Sequence, residues 1–182
     1  MTSDARESAP AAPAARATER HRLAFDPIKE AARLWDQRWA ETPRMRAVTS
    51  LMRVHQLVLT ELDELLRPLG LTFARYEVLV LLSFSRRGAL PLGKIGERLQ
   101  VHATSVTPLV KRLEAAGLIQ RSPHPEDGRA VLASMTPLGQ QTLQQATQVI
   151  VEAQFGLSSL TDEQCDALTG LLTPPRTAAG DF

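Results

Sequence analysis

Cysteine is almost missing from this chain of 182 residues, with Cys165 alone. One thiol excludes an internal disulfide framework and any metal site built from several cysteines. Long apolar runs are missing as well, since none approaches the ~20 residues that cross a bilayer. The opening stretch "MTSDARESAPAAPAARATER" lacks the apolar segment of a secretory signal. Together these absences point to the cytoplasm and to no membrane partner. Catalytic patterns are lacking too. No nucleophile stands at a productive spacing from a base, and no glycine-rich phosphate loop occurs. His21, His55, His102 and His124 are scattered rather than set at metal-ligand spacing. The expectation is a non-enzyme with no cofactor and no bound metal.

What the chain does hold is an uneven distribution of charge. Its net charge is only +1. Residues 86 to 129 nevertheless carry eight Lys or Arg against four Asp or Glu, whereas residues 136 to 182 carry one against five. A basic middle and an acidic tail suit a middle segment that meets a polyanion.

Residues 1–24 are rich in Ala, Pro and Arg and poor in large apolar side chains, so they read as a disordered arm. "DPIKEAARLWDQRWAE" then opens with a capping Asp26 and Pro27 at the first helical position. Its stripe of Ile28, Ala31, Ala32, Trp35 and Trp39 predicts an extra N-terminal helix within 25–43. Apolar residues from Val48 to Leu69 recur at helical spacing and predict a long helix over 44–70, longer than its share of a small core requires. Gly70 reads as its stop and Thr72 as the next cap. "FARYEVLVLLSFS" is apolar nearly all round, as in a buried central helix.

Two short amphipathic helices follow, within 91–100 and 105–117, around a brief turn. This is a helix-turn-helix unit. "LIQRS" and "AVLASM" are β-prone and flank a Pro/Gly-rich tip, which predicts a hairpin. Thr136, followed by Pro137, caps a further helix ending near Phe155. The last helix starts at Thr161, with Thr161 and Gln164 as a capping box and Leu160 against Cys165 as a hydrophobic staple. Residues 136–172 therefore hold two terminal helices and 173–182 a flexible tail.

On a helical wheel of the second short helix, Val106, Leu109, Val110 and Leu113 share the core face. Thr104, Pro108, Lys111 and Ala115 lie opposite, with Ser105, Thr107 and Arg112 on the flanks. Small, hydroxylated and cationic side chains on one face suit entry into a DNA major groove. A hairpin directly after such a helix makes a winged helix. Arg129 at its tip suits a narrow, electronegative minor groove, and Asp127 stands where it can accept from the guanidinium. The expected fold is mainly α: a winged helix-turn-helix lobe over 71–135, with a two-stranded β wing and long N- and C-terminal dimerisation helices.

The segment "VHATSVTPLVKRLEAAGLIQRSPHPEDGRAVLASMTPLGQQTL" resembles the core of MarR-family transcriptional regulators. It carries the family's R-L-E-x-x-G-L-I run at Arg112 to Ile119, its Asp-x-Arg wing turn at Asp127 to Arg129, and its Thr-x-x-Gly helix start at Thr136 to Gly139. The resemblance covers roughly residues 44 to 172. It implies a homodimer joined through the terminal helices, bound to pseudo-palindromic duplex DNA, repressing transcription until a small molecule releases it. Two departures stand out. Pro108 replaces an arginine common in the family, and Gly128 replaces a frequent second wing arginine. With Thr104 as cap, Pro108 would also cost the helix its first ladder bond, giving an irregular start.

The tryptophan-bearing helix ahead of the core also resembles the urate-responsive branch of that family. There a Trp, an acid early in the central helix and an Arg in the recognition helix form the ligand site. Trp39 or Trp35 matches the first and Glu77 the second, but the arginine position falls near Leu109. Arg53 is the best remaining cation. The implied effector is a small aromatic or carboxylate compound other than urate, bounded by Trp39, Arg53 and Glu77. Two other readings stay open from the residues: a winged helix used for protein–protein contact without DNA, and redox sensing through Cys165.

Overall fold

The computed structural model describes residues 23–182, except 87, 100–102, 128 and 129 and the side chains of 103 and 104. The arm expected over 1–24 therefore lies outside the described residues up to 22. The chain divides into two compact units, residues 1–51 and 52–182.

In the first unit, α1 spans Pro27–Asp36. Asp26 caps it as expected, its Oδ1 accepting from the N–H groups of Ile28 at 2.9 Å and Lys29 at 3.3 Å. The helix is shorter than its apolar stripe predicts. It ends at Asp36, so Trp39 lies beyond it and is 57% exposed. The reason is local: the Trp35 Nε1–H reaches forward to the carbonyl of Ala40 at 2.8 Å. Thr42 Oγ1 donates back to Asp36 Oδ1 at 2.8 Å. These bonds turn the chain where the periodicity alone would carry the helix on.

α2 then runs over Thr42–Leu66, followed by one turn of 3₁₀ helix over Arg67–Leu69. Within it only Leu62 and Leu66 are buried. Val48, Leu51, Met52, Val54 and Leu57 stay exposed, Met52 at 56%. His55 is exposed with them.

The second unit builds its core around α3, Phe73–Ser83, which buries Tyr76, Val78, Leu79 and Leu82. Thr72 caps α3 as expected, and Asp63 of α2 adds a bond from the Phe73 N–H at 2.7 Å. α4 (Leu92–Leu99) and α5 (Ala103–Ala115) press Ile95, Val106, Val110 and Leu113 onto the same core. α6 (Pro137–Glu152) closes it with Leu143, Ala146 and Ile150. Tyr76 Oη shares a 3.3 Å hydrogen bond with Thr147 Oγ1 between α3 and α6. α6 stops at Glu152, short of Phe155, and a 3₁₀ turn over Gln154–Gly156 follows.

The wing has three strands where two are expected. β2 (Ile119–Pro123) and β3 (Val131–Met135) form the predicted antiparallel hairpin, and β1 (Ala89–Pro91) pairs with the other edge of β3 to give the order β1-β3-β2. Leu90 pairs with Ala133, and both are buried. Three residues are too few to show a period of two. β1 is a strand because β3 offers it a free edge, a tertiary condition.

α7 covers Asp162–Ala178, with both halves of the Thr161–Gln164 capping box in place. The flexible tail expected from residue 173 is helical for six further residues. Pro174 and Pro175 remove two N–H donors, but the carbonyls thereby left without ladder bonds belong to Gly170 and Leu171, both exposed to water. The end is fastened as well. Arg176 Nε donates to Asp181 Oδ2 at 2.6 Å, and its guanidinium sits 5.0 Å from the Phe182 ring centroid.

Candidate nucleic-acid interface

α5 separates its two faces as the helical wheel requires. Val106, Val110 and Leu113 are buried and Leu109 is packed against them, while Ser105, Thr107, Pro108, Lys111 and Arg112 are all exposed. The start of the helix corrects one expectation. α5 begins at Ala103, so Thr104 lies inside it rather than capping it, and Pro108 is accommodated in mid-helix. Proline lacks an N–H, so the ladder omits one bond there, on the outward side. The side chain of Thr104 lies outside the described residues.

Gly117, at φ +71°, ends α5 in the left-handed conformation that side-chain-bearing residues rarely adopt. Its N–H bonds to Glu114 O at 2.8 Å, and the N–H of Leu118 reaches back to Leu113 O at 3.0 Å. The R-L-E-x-x-G-L-I run thus encodes a helix stop that turns straight into β2.

Among the described residues two polar contacts join the end of α5 to the rest of the lobe, and neither link to α5 was identified from the sequence. The first is an ion pair between Glu114 on α5 and Arg121 on β2, with Nε and Nη2 at 2.7 and 2.6 Å from the same carboxylate oxygen. The Arg121 hydrogen bond holds the Glu114 carboxyl below its ordinary pKa. The second centres on Thr136. Its hydroxyl donates to Gly117 O at 2.7 Å and accepts from the Gly139 N–H at 3.0 Å, while its own N–H bonds to Leu118 O at 3.0 Å. The only sequence signals were the Glu of R-L-E and the Thr of Thr-x-x-Gly, whose partners lie across a helix-to-strand turn.

At the wing tip, the carbonyl of Asp127 accepts from the Ala130 N–H at 2.9 Å, and the His124 N–H bonds to Ala130 O at 3.0 Å. Asp127 is exposed. Arg129, and with it the expected Asp127–Arg129 pair, lies outside the described residues. On α4, Lys94 is paired with Glu97 at 2.9 Å.

The candidate effector residues fall in different units. Trp35 and Trp39 belong to the first, where their rings lie 4.8 Å apart between centroids, tilted by 49°. Arg53 and Glu77 belong to the second. Arg53 is exposed, and Glu77 is half-buried, which raises its pKa by desolvation. Cys165 is partly buried and its carbonyl accepts from Thr169 Oγ1 at 3.0 Å. Among the described residues, no group of three or more His, Cys, Asp or Glu is placed to hold a metal ion, and no helix is long and apolar enough to cross a membrane.

Comparison with known proteins places this arrangement among regulators. The model of the MarR family matches residues 71–131. The organic hydroperoxide resistance transcriptional regulator of Bacillus subtilis is 35% identical over 108 residues, 59% of this chain and 71% of that protein. The crystal structure of Sco5413, a MarR family transcriptional regulator from Streptomyces coelicolor, superposes with a TM-score of 0.72 at 47% identity, over 78% of this chain and 99% of that one. Sco3205, a MarR family regulator from the same organism solved in complex with DNA, shares the fold at a TM-score of 0.71 and 24% identity, over 78% of this chain and 94% of that one.

Proposed function

The chain belongs to the MarR family of transcriptional regulators, and on that premise we propose that it binds pseudo-palindromic duplex DNA as a homodimer. The observation that carries this reading is the outward face of α5. Ser105, Thr107, Pro108, Lys111 and Arg112 are exposed together while the opposite face is buried. Small and hydroxylated residues let the helix approach base edges, and the two cations neutralise phosphate or reach guanine. Helical spacing in the sequence assigns Thr104 to that face, and the wing contact in the adjacent minor groove is assigned to Asp127 and Arg129. The exposed apolar stripe of α2, from Val48 to Leu57, supplies the surface on which a second copy packs.

In this reading the protein is a cytoplasmic repressor rather than an enzyme, released from DNA by a small aromatic or carboxylate effector. Trp35, Trp39, Arg53 and Glu77 are the residues whose substitution tests that response. DNA binding itself is tested by a mobility shift against duplexes selected from a random pool, repeated at several salt concentrations. Affinity should fall steeply with salt, as counterion release requires. A properly folded chain that selects no duplex would instead support a winged helix used for protein contact.

A further inference from the structure

A cleft of about 700 Å³ lies wholly within the first unit, between α1 and the first turns of α2. Its volume falls within the range of about 300–1,000 Å³ usual for small-molecule sites. Ala32, which is buried, and Ile28, which is half-buried, give it an apolar floor. The charged side chains that line it are Asp26, Lys29, Arg33 and Asp36, and Arg46 of α2. Positions 29, 33 and 36 share one face of α1, and positions 42, 46 and 50 share one face of α2. The two faces meet across the opening.

These charges do not pair with one another across the cleft. Arg33 is occupied by Glu30, at 2.7 Å. Lys29 and Arg46 have no partner among the described residues. Each acid is engaged by neutral donors only. Asp26 Oδ1 accepts from the N–H groups of Ile28 and Lys29, and Asp36 Oδ1 accepts from the Thr42 hydroxyl at 2.8 Å. Two cations and two carboxylates thus line one opening without a countercharge. A guest of one sign would be drawn to one pair and repelled by the other. A guest that carries both signs meets both. The Arg46 guanidinium is a planar fork that can take a carboxylate through two parallel bonds, and Lys29 adds a second cation. The second oxygen of Asp36 is open to an ammonium group. Lys29 and Asp36 stand seven residues apart on α1, about 10 Å of helix rise. A single α-amino acid holds its two charges too close together to serve both ends. An extended dipeptide separates them by about 7 Å, within reach of the side chains. Its own aliphatic side chain can rest on Ile28 and Ala32.

We infer that this cleft binds a free dipeptide by its two charged ends, with the carboxylate on Arg46 and Lys29 and the ammonium on Asp36. The inference is independent of the DNA-binding reading, since every lining residue belongs to the first unit. The test titrates alanyl-leucine into the full chain by isothermal calorimetry, then N-acetyl-alanyl-leucine, which lacks the ammonium, and alanyl-leucinamide, which lacks the carboxylate. Alanyl-leucine should bind saturably at one site per chain, and each capped form at least tenfold more weakly. Arg46→Gln and Asp36→Asn should each weaken alanyl-leucine at least tenfold. Both positions are exposed, and Asn keeps an acceptor for Thr42, so both variants should hold the wild-type Tm. The variants also assign the ends. Acetylation should cost nothing further in Asp36→Asn, and amidation little further in Arg46→Gln. Lys29→Gln repeats the carboxylate test should Arg46→Gln lower the Tm. No saturable heat at millimolar peptide, equal binding of the capped forms, or binding that survives the substitutions overturns the site. Penalties that remain in full in the matching variant overturn the assignment of the ends.

Discussion

Gly139, at the first turn of α6, lies so close to Leu118 that a Cβ built on it would come 2.0 Å from the Leu118 carbonyl oxygen. The obstacle is backbone, which cannot swing aside as a side-chain end can. The same carbonyl accepts the Thr136 N–H, so α6 is seated directly on the turn that ends α5. Gly139→Ala should therefore destabilise the protein by at least the ~1–3 kcal/mol typical of overpacking, read as a lower urea midpoint. It should also weaken DNA binding in whatever fraction stays folded. An unchanged midpoint would show that the joint yields at no cost.

On the DNA face, Lys111→Ala should weaken binding about equally across sequences if Lys111 meets phosphate, and should lower the salt slope by about 1. Arg129→Ala should cost about 1–3 kcal/mol, the cost of a well-placed groove contact. Both variants should keep the wild-type Tm, since Lys111 is exposed and a wing tip carries little core. Isotherms for both variants that overlay the wild type would remove α5 and the wing from the interface.

The Glu114–Arg121 pair predicts a pH dependence with a definite sign. The folded carboxyl has a lowered pKa because Arg121 bonds to its ionised form. Its contribution is present above the ordinary carboxylate range and disappears as pH falls through the folded value. Glu114→Gln should lower Tm at pH 7, and the gap from wild type should close in acid. A gap that stays constant from pH 7 to pH 3 would show that the pair is not the source.

The exposed stripe of α2 makes an oligomer prediction. An interface that covers Val48 to Leu57 together with the terminal helices should exceed ~2,000 Å² in total, the obligate class. Light scattering should give a dimer at micromolar concentration. Met52→Asp, which places a charge on that stripe, should shift the mass toward monomer. A wild-type chain that is folded and monomeric under those conditions contradicts the assembly.

Much of this fold was legible in the residues because the signals are local. Asp26, Thr72, Thr136 and Thr161 each cap a helix whose start their hydroxyl or carboxyl chemistry announces. The division of α5 into buried Val106, Val110 and Leu113 against exposed Lys111 and Arg112 follows from a period of 3.6 residues. The hairpin was legible from two β-prone runs around a Pro/Gly tip.

Contacts between distant parts of the chain left no comparable trace. Ala89–Pro91 became a strand only because β3 had an open edge. Glu114 met Arg121, and Gly139 met Leu118, once α5, β2 and α6 had been brought to one corner. The sequence by itself determined which faces are apolar and where helices begin, because those depend on neighbours within a turn or two. The tertiary structure alone decided which helix end rests on which strand, because a hydrogen bond, or a glycine seated where a Cβ would come 2.0 Å from a carbonyl oxygen, requires two segments to arrive at one place, and nothing in either segment specifies the other.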